Sequence, residues 1–463
     1  MRSRAVGAVV CASLLACASP ATAGDDGDLD RIPPAARLVA PTDAEPGALR
    51  SLYLQDDLAT YSDRSALAVP LPPSAAPSWE ERLFLDARID WKLSDRVSVI
   101  YSGRLNFRAE DTLSFPSHES VRHDFREGYL AWQIAEGDFI ELGRINLKSG
   151  VALGFNPTDV FKTRAVVEPL TADPSVLRED RLGTVMLLGQ HVWNDATLTV
   201  ALAPKLRDAS PVYRNDNLPS FDPMFDRTNA QTRILVKASA TLFADVSPEF
   251  LYYREAGSSR FGLNLTRVFG RSLVGYVEWA GGNRASLVHD ALAFGSATAA
   301  LPAAAIIPQS AAHPFQNDLA IGASYATPDE MTFNLEYHYH QAGFSDADWH
   351  NWFAAGTAGS AAERGALWFI RSYAGEQQEP LARGGVFFRA AWQDAFVRDL
   401  ALSGFVQADT RDGSGIAQIG ADYYASRSWT LGGLVDVTFG TRRSDFGSLP
   451  EAANALVKVS RYF

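Results

Sequence analysis

Cysteine is almost absent from this sequence. Of its 463 residues only two are cysteines, Cys11 and Cys17, and both lie before residue 24. If the first 23 residues are removed on export, the remaining chain has no cysteine. A disulfide framework of the kind that staples small exported domains is therefore excluded, and closed pairing of strands is one way to hold such a fold instead.

Long apolar runs are also missing after residue 23, so the mature chain offers no segment of about 20 residues that could cross a membrane as a helix. Lysine is scarce, with six residues at positions 92, 148, 162, 205, 237 and 458, and the other basic residues are arginines. Arginine makes forked contacts with phosphates and carboxylates. Lipopolysaccharide phosphates outside a cell and anionic solutes inside a channel both fit this bias, and so does a GC-rich genome.

Several function classes lack their signatures. The net charge is -12, from 42 Lys+Arg and 54 Asp+Glu, which argues against nucleic acid as a partner. The sequence contains no Gly-x-Ser-x-Gly motif and no glycine-rich phosphate loop with its lysine. We expect no cofactor and no enzyme activity, although scattered serines and histidines leave a hydrolase as an alternative.

The N-terminus has the pattern of an export signal. Arg2 and Arg4 precede an apolar stretch at residues 5–16, and Ala21-Thr22-Ala23 offers a cleavage site before residue 24. About 12 apolar residues are too few to span ~30 Å of hydrocarbon. The sequence predicts a signal peptide at residues 1–23. Residues 14–17 also resemble a lipobox, in which Cys17 would be acylated, so both processing routes stay open.

Residues 24–78 are rich in proline and begin with several aspartates. Proline breaks regular structure. We interpret this range as a periplasmic extension with room for one short element near residues 49–58. It could hold a periplasmic partner, which would make the protein a docking barrel.

From residue 79 onward apolar and polar residues alternate with a period of two. In residues 331–340, Met331, Phe333 and Leu335 share one face while Thr332 and Asn334 share the other. Segments 83–92 and 96–108 show the same pattern. Further candidate strands begin near residues 122, 138, 182, 195, 230, 247, 259, 272, 317, 384, 399, 415, 428 and 453.

These segments predict an all-β fold, a transmembrane antiparallel β-barrel over residues 79–463. The polar faces are charged along their length, as expected when apolar side chains face lipid and charged ones face a wet interior. Seventeen strands are clear, and a weaker one at residues 366–372 would make eighteen. Because bacterial barrels usually have an even number of strands, we favour 18, with 16 as the alternative.

Connection lengths alternate as well. Short polar turns at residues 94–95, 136–137 and 194–195 fit the periplasmic side of such a barrel. Longer stretches are expected to be outer loops, and these are residues 109–121, 149–181, 206–229, 283–316 and 343–364.

The last ten residues alternate and end on Phe463. This resembles the C-terminal strand of Gram-negative outer-membrane β-barrel proteins, and residues 79–463 resemble porin-like channels in architecture. The resemblance implies an outer-membrane location among lipid and lipopolysaccharide, and recognition of Phe463 by the barrel-insertion machinery. Arg461 departs from the pattern, since the third residue from the end is normally apolar or aromatic; it could snorkel to the interface.

Segment 149–181 resembles the inward-folded loop of porins in length and charge. We expect a channel for small solutes or an exported product, with selectivity set by this loop and by charged side chains on the interior. Asp173 and Pro174 predict the start of a short helix that runs to Arg181. The candidate pore-lining residues are Arg104, Arg108, Arg144, Lys148, Arg164, Arg178, Arg181, Glu336, His338 and His340.

Glu336, His338 and His340 also have the residue types of a metal site or an acid–base pair. Three ligands on one straight strand rarely converge on a single ion. We therefore interpret them as part of a solvated interior face, with no metal and no catalytic role.

Overall fold

A computed structural model describes residues 48–71, 77–112, 121–167, 169–210, 221–241, 246–301, 307 and 310–463. The predicted signal peptide and the first part of the predicted extension, through residue 47, lie outside the described residues. Both stay predictions.

Eighteen strands form one antiparallel sheet, and each strand pairs with its neighbours in chain order. The strands are β1 (Ala48–Asp63), β2 (Trp79–Ser94), β3 (Val97–Glu110), β4 (Val121–Ala135), β5 (Asp138–Ile145), β6 (Thr184–Val192), β7 (Ala196–Ala203), β8 (Arg233–Ala240), β9 (Val246–Glu255), β10 (Ser258–Phe269), β11 (Leu273–Asn283), β12 (Phe315–Ala326), β13 (Met331–His340), β14 (Gly384–Trp392), β15 (Leu400–Asp409), β16 (Gly415–Ser426), β17 (Trp429–Phe439) and β18 (Glu451–Tyr462).

The sheet closes on itself through its first strand. Leu58 of β1 lies opposite Glu81 of β2 on one side and opposite Val457 of β18 on the other. Closure leaves no unpaired edge, and this is the only way in which a sheet can satisfy its backbone in a bilayer. The predicted closed barrel of 18 strands is confirmed.

The eighteenth strand is not the one expected from the sequence. Residues 366–372, predicted as a weak strand, lie within a helix, Ala361–Gln377, that begins with a capping box between Ser360 and Glu363. The buried residues of this helix, Ala366, Leu367 and Ile370, recur at helical spacing. Strand β1 lies instead in the range predicted as extension, so the barrel begins at Ala48 rather than at residue 79.

In the described part of the chain, five α-helices lie in the long connections between strands. They are α1 (Pro174–Glu179), α2 (Phe225–Thr228), α3 (Leu287–Ala297), α4 (Asp346–Ala358) and α5 (Ala361–Gln377). None of the helices in the described part of the chain is long and apolar enough to cross a membrane. The long connections share one end of the barrel with the residues between β1 and β2, whereas the other end has short turns such as residues 95–96 and 136–137. Long loops mark the extracellular end of such barrels.

Helices α3, α4 and α5 pack into an apolar cluster at the extracellular end. Trp349 and Trp352 are fully buried there, and Val69, from the connection after β1, inserts against Gly356. A Cβ at Gly356 would collide with Val69, which explains the glycine. Burial of these large side chains stabilises the cap over the barrel end.

The two faces of the wall differ as predicted. On β2 the exposed side chains include Leu83 and Leu85, whereas Arg82 and Asp86, which flank them in sequence, are buried. Since the sheet is closed, the exposed apolar face is the outer face and the charged face is the interior. This division suits an outer membrane.

Candidate functional site

One connection, residues 146–183 between β5 and β6, contacts interior side chains on many strands. Its Phe161 packs in an apolar cluster with Leu188, Leu235 and Tyr253 of β6, β8 and β9. The Phe161 and Tyr253 rings meet edge to face, with centroids 6.1 Å apart. This part of the segment is therefore fixed to the apolar section of the interior wall.

Two buried glutamates bind four successive backbone amides of the same segment. Val151 and Ala152 donate to Glu278 of β11, the latter at 2.6 Å, and Leu153 and Gly154 donate to Glu336 of β13 at 2.7 and 2.9 Å. Bonds to a carboxylate are about twice as strong as neutral ones. The pair thus clamps residues 151–154 against the wall.

Glycines at both ends of this clamp allow the close approach. Gly150 has a φ of +72°, and a Cβ there would collide with the Glu278 carboxylate. A Cβ at Gly154 would lie 2.6 Å from the His338 ring. A larger residue at either position would push the segment away from the two glutamates.

The other end of the segment binds arginines of β3 and β4. Asp180 accepts hydrogen bonds from Arg104 at 2.9 and 3.0 Å and from Arg126 at 3.0 Å. Asp86 of β2 accepts from the same two arginines, at 2.9 and 2.5 Å. In the ring of eighteen strands, β3 and β4 lie seven to nine strands from β11 and β13, so the arginines and the glutamate clamp are on opposite sides of the barrel.

Three further predicted residues bind within the segment itself. Arg181 forms a bidentate pair with Asp159 at 2.7 and 3.2 Å, and Arg178 donates to the carbonyl oxygens of Ser149 and Gly150. Burial alone would raise the pKa of Asp159, but Arg181 and Arg178 outweigh it and the pKa is lowered. Lys148 pairs with Glu179.

Lys162 is a fully enclosed cation of the same segment. Its Nζ donates to the Asn156 carbonyl at 2.6 Å and lies 4.6 Å from the centroid of the Phe155 ring. Burial lowers its pKa to about 8. Beside it is a cavity of about 30 Å³ lined also by Arg260 and Glu379, which is room for about one water molecule.

Arg164 connects the segment to the extracellular helices. It has a φ of +56° and donates to Glu376 of α5 at 3.2 Å and to the Asp226 carbonyl at 3.0 Å. Arg227 donates to the same Glu376 at 3.1 Å. The segment and the helical cap are thus joined through one carboxylate.

The two histidines of β13 have separate partners. His338 Nε2 is 2.7 Å from Glu336, whereas His340 Nδ1 is 2.8 Å from Asp318 and 3.1 Å from Arg284. Glu379 lies near His340. Burial alone would raise the pKa of Glu379, but Arg284 and His340 outweigh burial and lower the pKa to about 2. Across the described ranges, no group of three His, Cys, Asp or Glu side chains is arranged to hold a metal.

Arg144 is set apart from the other predicted residues. It lies on the face of β5 that also carries the exposed Leu142, which is the outer face. There it is buried beneath the connection that follows β7, donating to the carbonyls of Gly183, at 2.8 Å, and Pro223. The position suits a structural clamp at the barrel rim rather than a contact with the interior.

Arginines concentrate on one part of the interior wall. Strands β2–β4 carry Arg104 and Arg108, and also Arg82, Arg122 and Arg126. Arg108 pairs with Glu110 and lies 3.6 Å from Glu80. Three buried aspartates, Asp57, Asp409 and Asp436, lie on the adjacent wall formed by β15 to β1.

Several residues of this arrangement were not among the sequence candidates. They are Asp86, Arg126, Asp180, Glu278 and Glu379. Glu278 could have been found from its strand, because it is the charged residue at an interior position between Tyr276 and Ala280. Its partners, the backbone amides of Val151 and Ala152, leave no signal in side-chain chemistry.

No protein-family model matches the sequence, and no curated protein matches it. Among solved structures the chain is similar to three Pseudomonas aeruginosa proteins: OccK11 (OpdR), OpdQ and OccK5 (OpdH). The identities are 10%, 9% and 8%, and the TM-scores are 0.52, 0.53 and 0.51. The alignments cover 92%, 91% and 90% of this chain and 99%, 99% and 98% of the others. At these identities the likeness shows the fold alone, a closed antiparallel β-barrel.

Proposed function

We propose that the protein is an outer-membrane channel for small solutes, and that residues 146–183 fold inward to narrow its interior. The observation that supports this most directly is the pair of anchors on opposite sides of the barrel. Asp180 is held by Arg104 and Arg126, and residues 151–154 are held by Glu278 and Glu336. A segment tied to facing walls lies across the path of a solute.

Selectivity follows from the charges beside that segment. Arginines on β2–β4 and carboxylates on the segment and the adjacent wall would create a transverse field through which a solute must pass. Arg104 and Arg126 are partly accessible, with 14% and 11% of their side-chain surface exposed. A permeating anion could therefore exchange with the carboxylates they now hold.

The test is the reversal potential of single channels in planar bilayers under a salt gradient. Replacing Arg104 and Arg126 with alanine leaves Asp86 and Asp180 without their cations. We expect the reversal potential to shift toward cation selectivity. Arg398→Ala serves as the matched control, because Arg398 lies in the short turn between β14 and β15 and is almost fully exposed.

An unchanged reversal potential in the double variant, with a folded barrel, would reject this assignment of selectivity. A wild-type barrel that never conducts in the bilayer would reject the channel itself. The two results are distinguishable because conductance and selectivity are read from the same trace.

The hydrolase alternative gains no support from the histidines. In the part of the chain that the structure describes, the hydrogen-bond partners of His338 and His340 are carboxylates and an arginine, not the hydroxyl of a nucleophile. The docking alternative rested on residues 24–78, of which residues 48–63 are a barrel strand.

A further inference from the structure

A groove of about 250 Å³ lies where β8 and β9 end at the extracellular rim. It is lined by Lys205, Gln231, Thr232, Ile234, Arg254, Ala256 and Gly257. The connection from β9 to β10 is only Ala256 and Gly257, so it leaves the groove uncovered. The volume is several times the ~30 Å³ that one water molecule occupies.

The groove opens toward the membrane, not toward the interior. Ile234 and Arg254 are direct neighbours across β8 and β9. Their positions alternate with the buried Leu235 and Tyr253, which face the interior. Directly below on the same outer face are Phe250 and other exposed apolar side chains. The groove therefore sits at the boundary between the apolar band and the extracellular water.

The groove is cationic and its cations are available. Arg254 is exposed, and within the described residues its side chain makes no hydrogen bond or ion pair. Lys205 pairs with Asp208, whose side chain is 92% exposed. An exposed pair of this kind contributes at most about 1 kcal/mol and is easily exchanged. The Thr232 hydroxyl, which accepts from the Lys205 amide at 3.2 Å, adds a further polar group.

We propose that this groove binds the phosphate group of a phosphorylated glycolipid of the outer leaflet, with Lys205 and Arg254 as the cationic contacts. A lipid fits better than a free anion because the charged groove continues into the apolar outer face of Ile234 and Phe250, where acyl chains would lie. Arginine forks match phosphate oxygens, and a lysine adds a point charge. The proposal is independent of the channel, since these residues face away from the interior.

The test is native mass spectrometry of the detergent-solubilised full barrel with bis-phosphorylated lipid A, compared with the same lipid after removal of its phosphates. We expect the double variant Lys205→Glu, Arg254→Glu to lose affinity for the phosphorylated lipid on the order of tenfold or more. Arg267→Glu is the control, because Arg267 is also exposed on the outer face but lies at the periplasmic end of β10. Its affinity should match wild type.

Folding of each variant is checked by heat-dependent mobility on gels, and Arg254→Gln provides a milder change should the double variant fail to fold. Affinity that is equal in variant and wild type would overturn the proposal. So would equal binding of the lipid without phosphates. Displacement of the lipid by an excess of inorganic phosphate would assign the groove to a free anion instead. Single-channel conductance of the variants should stay unchanged.

Discussion

At the scale of single residues, arginines with the same apparent signature have different environments. Arg104 holds a carboxylate of the segment 146–183 on the interior. Arg181 forms a buried ion pair with Asp159, and Arg144 is buried at the outer rim of the barrel. Arg104 lies in the regular part of β3 and binds Asp86 of β2. Arg144 is one residue from the end of β5, which stops at Ile145, so the polar residues that follow it do not indicate which face of the strand it is on.

Lys162 predicts a specific dependence of stability on pH. Its pKa is lowered to about 8 by burial, so between pH 8 and about 10.5 the unfolded chain binds more protons at this site than the folded one. Stability should therefore rise with pH across that window. The increment for a shift of this size is on the order of 3 kcal/mol.

The measurement is urea unfolding of the reconstituted barrel, followed by tryptophan fluorescence, at a series of pH values from 7.5 to 10.5. Lys162→Met should lack the rise that wild type shows, because it removes the titrating group and keeps the volume. Parallel curves for wild type and variant would show that Lys162 keeps an ordinary pKa.

At the scale of elements, the segment 146–183 was predictable in part. Asp173 and Pro174 predicted the start of α1, and the structure confirms Asp173 as N-cap, accepting from the Ser175 amide. The helix ends at Glu179 rather than at Arg181, because Arg181 turns to bind Asp159. The clamp was not predictable, since it joins residues 151–154 to glutamates more than a hundred positions away.

The glutamate clamp predicts how the segment behaves when its anchors weaken. In a double variant Glu278→Gln, Glu336→Gln, each glutamine side chain keeps the shape of the glutamate but lacks the negative charge that strengthens the four hydrogen bonds from the backbone. Each glutamine must also turn its own NH₂ group away from the backbone N–H groups of residues 151–154. We expect larger current fluctuations and more frequent sub-conductance levels in single-channel recordings.

Glu249→Gln is the matched control for the clamp, because Glu249 is an interior glutamate of β9 bound to Lys237 and Asn264. Its noise should equal wild type. If the double variant recorded as quietly as the control, the glutamates would not be what holds the segment.

At the scale of the whole molecule, the alternation of apolar and polar residues was enough to predict the barrel and its number of strands. It did not identify every segment that forms a strand. Strand β1 was predicted only as a short element near residues 49–58 and not as part of the barrel, because its alternation is interrupted by the adjacent Asp56 and Asp57 and because prolines flank it on both sides. Residues 366–372 were mistaken for a strand because a short apolar run fits a buried helix equally well. Both errors concern segments whose state is decided by their packing partners.

Closure by β1 predicts a cross-link. Leu58 and Val457 lie directly opposite each other on the outer faces of β1 and β18, within the distance that a disulfide spans. We expect Leu58→Cys with Val457→Cys to oxidise readily, which a gel shift that disappears on reduction would reveal.

The control for the cross-link pairs Leu58→Cys with Val435→Cys. Val435 lies on β17, opposite Ala455, so it is two strands from β1, about 10 Å away, and should stay reduced. Equal oxidation of both pairs, or of neither, would contradict the pairing register of β1 with β18.

The pairing of β1 with β18 also determines when the polypeptide is protected from aggregation. Its two partners come from opposite ends of the sequence, so a nascent or truncated chain presents two bare strand borders, each a template for a second copy. Only the last row of backbone bonds, from Tyr53 with Tyr462 to Asp63 with Glu451, removes that aggregation hazard. Whatever assembles this barrel must therefore keep the unpaired edges of β1 and β18 from pairing with other chains until the two strands meet.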